Sequence, residues 1–273
     1  MVRQRRPVTR ILLYLVLIVA VLFVLFPFFW MILTAIRPRG TEFNTLLPER
    51  LTLENFVQVW TRYNFARYFA NSLVVATSVA FFSTLFAGMA GYVFAKKRFF
   101  LKEKLFWFIL STMMIPGMMY MVPQFAIVNQ LGWMNTFKAM IIPHLANIFG
   151  VFLMRQYVQT IPTALIEAAH IDGASELQVF TRIIAPLSKA VLITLFLLSF
   201  LFHWSNFLWQ LIVTTDAGMY TVPVGLAMFR GQHSTDWTLT MAASCFSIIP
   251  ITILFIVAQR FFIEGLTSGA VKE

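Results

Sequence analysis

Residues 11 to 36 contain no acidic, basic or histidine side chain, and an apolar stretch of that length has few places to fold. A membrane-crossing helix needs about 20 mostly apolar residues, longer than the apolar runs of ordinary soluble cores. Five further stretches meet the same test: 71 to 95, 105 to 128, 137 to 157, 187 to 213 and 239 to 263. Pro143, His144 and Asn147 interrupt the fourth of these, and Arg155 marks its end. With no water in lipid to satisfy the backbone, each stretch must close its own hydrogen bonds as a helix. The expected class is therefore all-α, a polytopic membrane protein with six transmembrane helices. Composition agrees, since a chain of 273 residues that is 59% hydrophobic, 12% charged and has mean hydropathy +0.79 lies far from soluble domains.

Arg3, Arg5, Arg6 and Arg10 precede the first stretch in the manner of a signal peptide. The stretch is too long for a signal core, and Pro27, Phe28, Phe29 and Trp30 stand where small cleavage-site residues would be. It is expected to be a retained first span, followed by a partly ordered external loop over 37 to 70. Cationic side chains then set the orientation, because they collect on the cytoplasmic side. With the N-terminus inside, that side holds Arg3, Arg5, Arg6, Arg10, Lys96, Lys97, Arg98, Lys102, Lys104, Arg155, Arg182, Lys189, Arg260 and Lys272, fourteen of the 21 Lys and Arg residues. The expected topology is N-in/C-in. The net charge of +10 is explained by these clusters beside apolar runs. No basic helix face or RNA-binding motif points to nucleic acid.

Between 155 and 186 the chain turns polar. Placing Glu167, Asp172, Glu176 and Arg182 in lipid would cost roughly 10 kcal/mol together, so the segment belongs in water or against another protein. Pro162 favours a helix start and Gly173 a left-handed stop. Ser175 with Gln178 has the pattern of a capping box opening a second helix. On the N-in topology this helix, glycine elbow and helix face the cytoplasm.

Glu167, Ala168, Ala169, Gly173, Ile183 and Pro186 are spaced as Glu-Ala-Ala, three residues, Gly, nine residues, Ile, one residue, Pro. That spacing resembles the EAA loop of the membrane subunits of ABC importers, with Ala185 where the family usually has Leu. The resemblance extends along the chain through Asn71-Ser72, residues 90 to 95, Ile115-Pro116, residues 152 to 156, residues 220 to 225 and the tail from Gly265 to Lys272. It is closest to carbohydrate-uptake permeases of the maltose-permease type, the smaller of two membrane subunits. Span five departs from it: the family tends toward Trp-Asn-acid-Phe-Leu-Trp-Pro, whereas here Trp204-Ser205-Asn206-Phe207-Leu208-Trp209-Gln210 lacks the acid and the proline.

The resemblance implies a type I ABC importer transmembrane domain. Its division would be residues 1 to 70 as N-terminal span and external loop, 71 to 263 as five-helix core containing the coupling loop 155 to 186, and 264 to 273 as cytoplasmic tail. It also implies a prokaryotic cytoplasmic membrane and a heterodimer with a second homologous permease subunit. Two ATPase subunits carrying ATP and Mg, an extracytoplasmic solute-binding protein and a sugar-like substrate complete the implied complex. Glu167, Ala168, Ala169, Asp172, Gly173 and Ala174 would couple to the ATPase, with Glu167 and Asp172 offering charge-assisted contacts. The tail after Phe262 is short and rich in small residues, which reads as a frayed terminus, and its likeness to the family ending adds contact with the ATPase pair as the alternative.

For the solute, span five supplies polar groups at His203, Trp204, Ser205, Asn206 and Gln210, and Asn147 in span four joins them, as do Gln124 and Asn129. Polar side chains inside a bilayer face protein or a water-filled path, and packed helices use the same groups for hydrogen bonding. The methionines between 113 and 121, punctuated by Pro116 and Pro123, fill irregular space in a span that can repack. His144, His170, His203 and His233 have no metal-ligand spacing, the only cysteine is Cys245, and there is no phosphate-binding loop. The chain is expected to be no enzyme and to hold no cofactor of its own. An ATP-independent secondary transporter or channel is the competing reading, but it would want inverted repeats or carboxylates within its spans. Here every Asp and Glu lies in a loop or near a span end. A polytopic membrane enzyme ranks last, for want of a convergent catalytic cluster.

Overall fold

The computed structural model describes residues 7–40, 47, 50–232 and 236–267, with side chains for 11–40, 47, 50–228 and 236–259. Arg3, Arg5, Arg6, His233, Lys272 and the tail beyond 267 lie outside the described residues, as do the side chains of Arg10, Arg230 and Arg260. All regular elements among the described residues are helical. The chain divides into two compact units, Met1–Ala66 with Leu226–Ile249, and Arg67–Gly225 with Pro250–Glu273.

In the first unit, α1 (Pro7–Ala35) is exposed on every face from Ile11 to Phe29. A helix that is apolar all round belongs in lipid or in a protein core. Its end is fastened by Asn55 of α2 (Glu54–Arg62), whose buried amide donates to the Ala35 carbonyl at 2.8 Å and the Arg37 carbonyl at 2.7 Å. The expected external loop is thus ordered around a helix. Beside it, Phe56, Trp60 and Phe65 gather on the ring of Phe246. Arg39 donates to Asp236 at 2.6 Å and to Gln58 at 3.0 Å.

The second unit is built on α3 (Phe65–Lys96), whose helix starts before the expected span. Of the expected third span, 105 to 128, the structure makes two helices, α4 (Lys102–Ser111) and α5 (Gly117–Gln130), bent by 100° at their junction. Pro116 excludes helical torsions from the residue before it, and Ile115 is extended with ψ 118°. The fourth span runs as α6 (Phe137–Ile141), a tight turn over Ile142–His144, and α7 (Ile148–Gln159). Asn147 opens α7 by accepting the Gly150 N–H at 2.8 Å.

After the polar loop come α8 (Thr163–Ile171) and α9 (Glu176–Leu187), then α10 (Lys189–Trp204), bent by 84° from α9. The expected fifth span, 187 to 213, is not continuous: it breaks at residues 205–207 before α11 (Leu208–Val213). Ser205 turns its hydroxyl back onto the Leu201 carbonyl at 2.7 Å, a local bond that competes with continuing the helix. The remaining helices are α12 (Val222–Gln232) and α13 (Trp237–Thr267).

Among the described residues, four helical stretches are long and apolar enough to cross a membrane: Ile11–Ala35, Phe65–Lys96, Phe137–Gln159 and Trp237–Gln259. The two bent pairs pass that test only when each is taken together.

Within the second unit, α3 crosses α7 with almost no space between their backbones. A Cβ on Gly91 would sit 2.4 Å from the Met154 Cβ, and one on Gly150 would sit 2.8 Å from the Ala87 Cβ. Ala87 with Gly91, and Gly150 with Met154, are each four residues apart, so two turns of backbone approach along one seam. Close approach through small residues is how helices associate where lipid removes the hydrophobic drive. That seam leads directly to the polar loop.

Candidate functional site

The polar loop folds as its residue types require. The helix α8 follows Pro162 and ends at Asp172, and Gly173 takes φ +79°, a conformation costing about 1 to 2 kcal/mol for most residues with a Cβ, less for Asn or Asp. Ser175 then opens α9 with a complete capping box: its hydroxyl accepts the Gln178 N–H at 3.4 Å, and the Gln178 side chain accepts the Ser175 N–H at 2.8 Å. Further on, the Ala185 N–H reaches back five residues to the Phe180 carbonyl. Pro186 follows at once, and a widened π turn accommodates a ring that would clash with the carbonyl four residues before it.

One face of the loop is held inward. Ile166, Val179, Phe180 and Ile184 join Tyr92 of α3, Met154 and Val158 of α7 and Leu195 of α10 in a single buried cluster, with Ala169 and Ala174 packed against it. Polar groups fasten its rim. The Tyr92 hydroxyl donates to Glu176 Oε2 at 2.9 Å, Lys97 pairs with Glu176 Oε1, and His170 lies 3.5 Å from that same oxygen. The Glu176 carboxyl is therefore held below the usual glutamate range, mainly by Lys97 and then by Tyr92. Lys96 donates to the carbonyls of Ile161 at 2.5 Å and Gln159 at 3.3 Å. Behind the loop, Arg155 meets both carboxylate oxygens of Glu103 at 2.7 Å and lies 3.8 Å over the Phe106 ring.

The other face is open. Glu167, Ala168, Asp172 and Gly173 are exposed, and no atom lies within 4 Å of where a Gly173 Cβ would be. With them stand three uncovered apolar side chains: Leu165 at 46%, Ile171 at 86% and Leu177 at 65%. Full burial of an exposed Leu or Ile is worth roughly 1.5 to 3 kcal/mol, so a partner would gain most at Ile171 and less at the partly covered Leu165 and Leu177. Of the paired alanines, only Ala168 belongs to this face, since Ala169 turns toward the core. Sequence marks neither the three apolar residues nor the contacts of Tyr92 and Lys97 with Glu176 as part of this site. The apolar ones could have been found as misplaced hydrophobes in a polar segment, but the spacing of 79 residues between Lys97 and Glu176 carries no signal.

The expected solute residues separate. His203 and Asn147 line a cavity of about 710 Å³ that also receives Tyr120, Gln124 and His144. The His144 and His203 rings lie 4.8 Å apart, centre to centre. Trp204 is buried on the opposite side of α10, stacked on Phe200 at 5.7 Å and edge-on to Phe69 at 5.6 Å. Ser205 and Asn206 lie at the break after α10, outside the cavity lining, and Gln210 is fully buried. Asn129 lies outside the lining as well.

Residues 83–267, which span the α3 to α7 seam, the whole polar loop and the cavity, match the family described as binding-protein-dependent transport system inner membrane component. The chain belongs to that family. Among its relatives is the arabinooligosaccharides transport system permease protein AraQ of Halalkalibacterium halodurans, 37% identical, with 90% of this chain and 91% of the relative aligned. The trehalose/maltose transport system permease protein MalG of Thermococcus litoralis is 35% identical over 96% of this chain and 97% of its own length. The sn-glycerol-3-phosphate transport system permease protein UgpE of Shigella flexneri is 30% identical over 97% and 99%. A solved chain from a bacterial ABC transporter involved in the import of the acidic polysaccharide alginate shares the fold, with TM-score 0.83, 23% identity and 96% of this chain covered. As a member of the family, this chain is a multi-pass ABC transporter permease.

Proposed function

We propose that this permease is the smaller membrane subunit of an ATP-driven importer for a sugar or sugar-like solute in the cytoplasmic membrane of a prokaryote. In this reading the bent pair α4 and α5 serves as one span and α10 with α11 as another, so six spans cross with both termini inside. A second, homologous permease subunit completes the path, two ATPase subunits bind ATP and Mg beneath it, and a solute-binding protein delivers from outside. Residues 1 to 70 form the leading span and external loop, 71 to 263 the transport core, and 264 to 273 a tail at the ATPase side. The relatives named for arabinooligosaccharides, trehalose and maltose, and glycerol phosphate support the solute class.

One observation carries the proposal: an exposed helix, glycine elbow and helix whose inner face is locked to three spans and whose outer face is apolar and acidic. Glu167, Ala168, Asp172 and Gly173 enter a cleft of the ATPase, with Ile171 and Leu165 buried between them, and Ala169 and Ala174 hold the loop to its own spans. Movement of that cleft is then passed to α3, α7 and α10 as one body, shifting the balance between inward-open and outward-open states. Asn147 and His203 face the solute path, Ser205 and Asn206 border it at the break, and Trp204 braces it from behind.

The test is to purify the chain with its neighbouring gene products and measure ATPase stimulation by loaded binding protein in the wild type and in Ile171→Asp with Ala168→Arg. Loss of ATPase recovery on purification in the variant supports docking through this face. Full recovery and full coupling in the variant would refute it.

A further inference from the structure

The cavity beside α10 carries a second message, about the charge of the solute, which rests on the permease reading above. Its volume of about 710 Å³ lies within the range of small-molecule sites. Its wall mixes the aromatic rings of Tyr120, Phe149 and Phe202 with Gln124, His144, Asn147 and His203, and no Asp, Glu, Lys or Arg lines it among the described residues. Neutral imidazoles and amides each offer a donor and an acceptor, the same pair that every sugar hydroxyl needs. Asn147 commits its oxygen to Gly150, which leaves its NH₂ as a donor. His144 Nε2 and His203 Nδ1 are buried without a hydrogen-bond partner among the described residues. Both atoms are closed off here, so a solute hydroxyl would satisfy them once the rings, which line the cavity, turn toward it.

We infer that this cavity is the subunit's contact site for a neutral polyhydroxylated solute, with His144 and His203 as its specificity-determining pair. A phosphate ester or uronate entering it would lose its hydration and meet no fixed cation, which the polar lining does not offset. Neutral hydroxyls lose less and find matched partners, while the aromatic rings cover the sugar's apolar faces. The inference therefore separates this chain from relatives whose names specify glycerol phosphate or acidic polysaccharide.

The experiment uses the complete transporter with its binding protein in proteoliposomes. Probes are a panel of neutral mono- and disaccharides including maltose and trehalose, set against sn-glycerol-3-phosphate and alginate oligomers. The readout is solute imported per ATP hydrolysed, which separates a damaged path from a damaged assembly. The wild type is expected to import a neutral saccharide and neither anion. Leu at both His144 and His203 should lower the imported-to-hydrolysed ratio about tenfold, whereas Gln at both should stay within about threefold, because a tenfold step is the scale of one lost polar contact. Should the Leu pair fail to assemble, the Gln pair and the wild-type panel still decide. Preference for an anionic probe, import of no neutral saccharide, or an unchanged ratio in the Leu pair overturns the inference. ATP-driven import that ignores the histidines sinks this inference alone, whereas import without ATP sinks the permease reading beneath it.

Discussion

Replacing Gly173 separates two costs that are usually confounded. The residue sits at φ +79° with nothing within 4 Å of the position a Cβ would take. In the isolated subunit, therefore, Gly173→Ala and Gly173→Leu meet the same penalty, the left-handed backbone, of about 1 to 2 kcal/mol. Gly173→Asn costs less, since its short polar side chain tolerates that region. If the elbow enters a partner's cleft, the three variants diverge once the ATPase is present: the Leu side chain must then fit where the free subunit has open space. The expected order for coupled transport is wild type, Asn, Ala, Leu, with Ala reduced about 5- to 30-fold if the whole strain falls on the docked state. The assay is solute uptake and ATPase rate in proteoliposomes, paired with thermal unfolding of the subunit without its ATPase. Equal coupling in Ala and Leu alongside equal stability would mean that nothing docks around the elbow, and Asn behaving like Leu would mean that backbone strain is not what matters there.

Three further outcomes follow from the packing. Gly91→Leu forces α3 and α7 apart by about 1 Å, because carbons need roughly 3.5 to 4.0 Å and the Cβ would have 2.4 Å, so the subunit should lose about 1 to 3 kcal/mol in thermal unfolding. Tyr92→Phe should leave the subunit folded but loosen α9, read as faster hydrogen exchange at residues 176 to 180; unchanged exchange would show the Glu176 contact to be incidental. Because the Glu176 carboxyl titrates below its ordinary range, its contribution is complete above that range and is lost as pH falls through the lowered value. Wild type and Glu176→Gln should therefore differ in stability at neutral pH and converge at the acid end of that window.

That the chain is helical and crosses a membrane several times is visible in its apolar stretches, because lipid imposes a length and a polarity that no soluble core demands. The elbow was equally legible, since Pro162, Gly173, Ser175 and Gln178 each act through their own backbone chemistry. Breaks within spans were harder. Pro116 marked one, yet the size of its 100° bend depends on what α4 and α5 pack against. Ser205 looked like any polar residue in a span until its hydroxyl was seen to close on Leu201. Trp204 stands among the polar groups expected along the solute path, but whether its ring points into a cavity or onto Phe200 is set by helix rotation, which a short uniform apolar run does not encode. Lys97 and Glu176 meet only because the seam at Gly91 brings α3 and the loop together.

The central claim is that the open face of the α8 elbow is where a separate ATPase delivers motion to these spans. A cysteine at Ala168, with Cys245→Ala as background, places one reactive thiol on that face of the assembled transporter. Cross-linking to an ATPase subunit through this thiol should occur in high yield and stop solute uptake, with uptake restored on reduction. An assembled, transporting complex in which no position from Leu165 to Leu177 cross-links to any ATPase subunit would contradict the account.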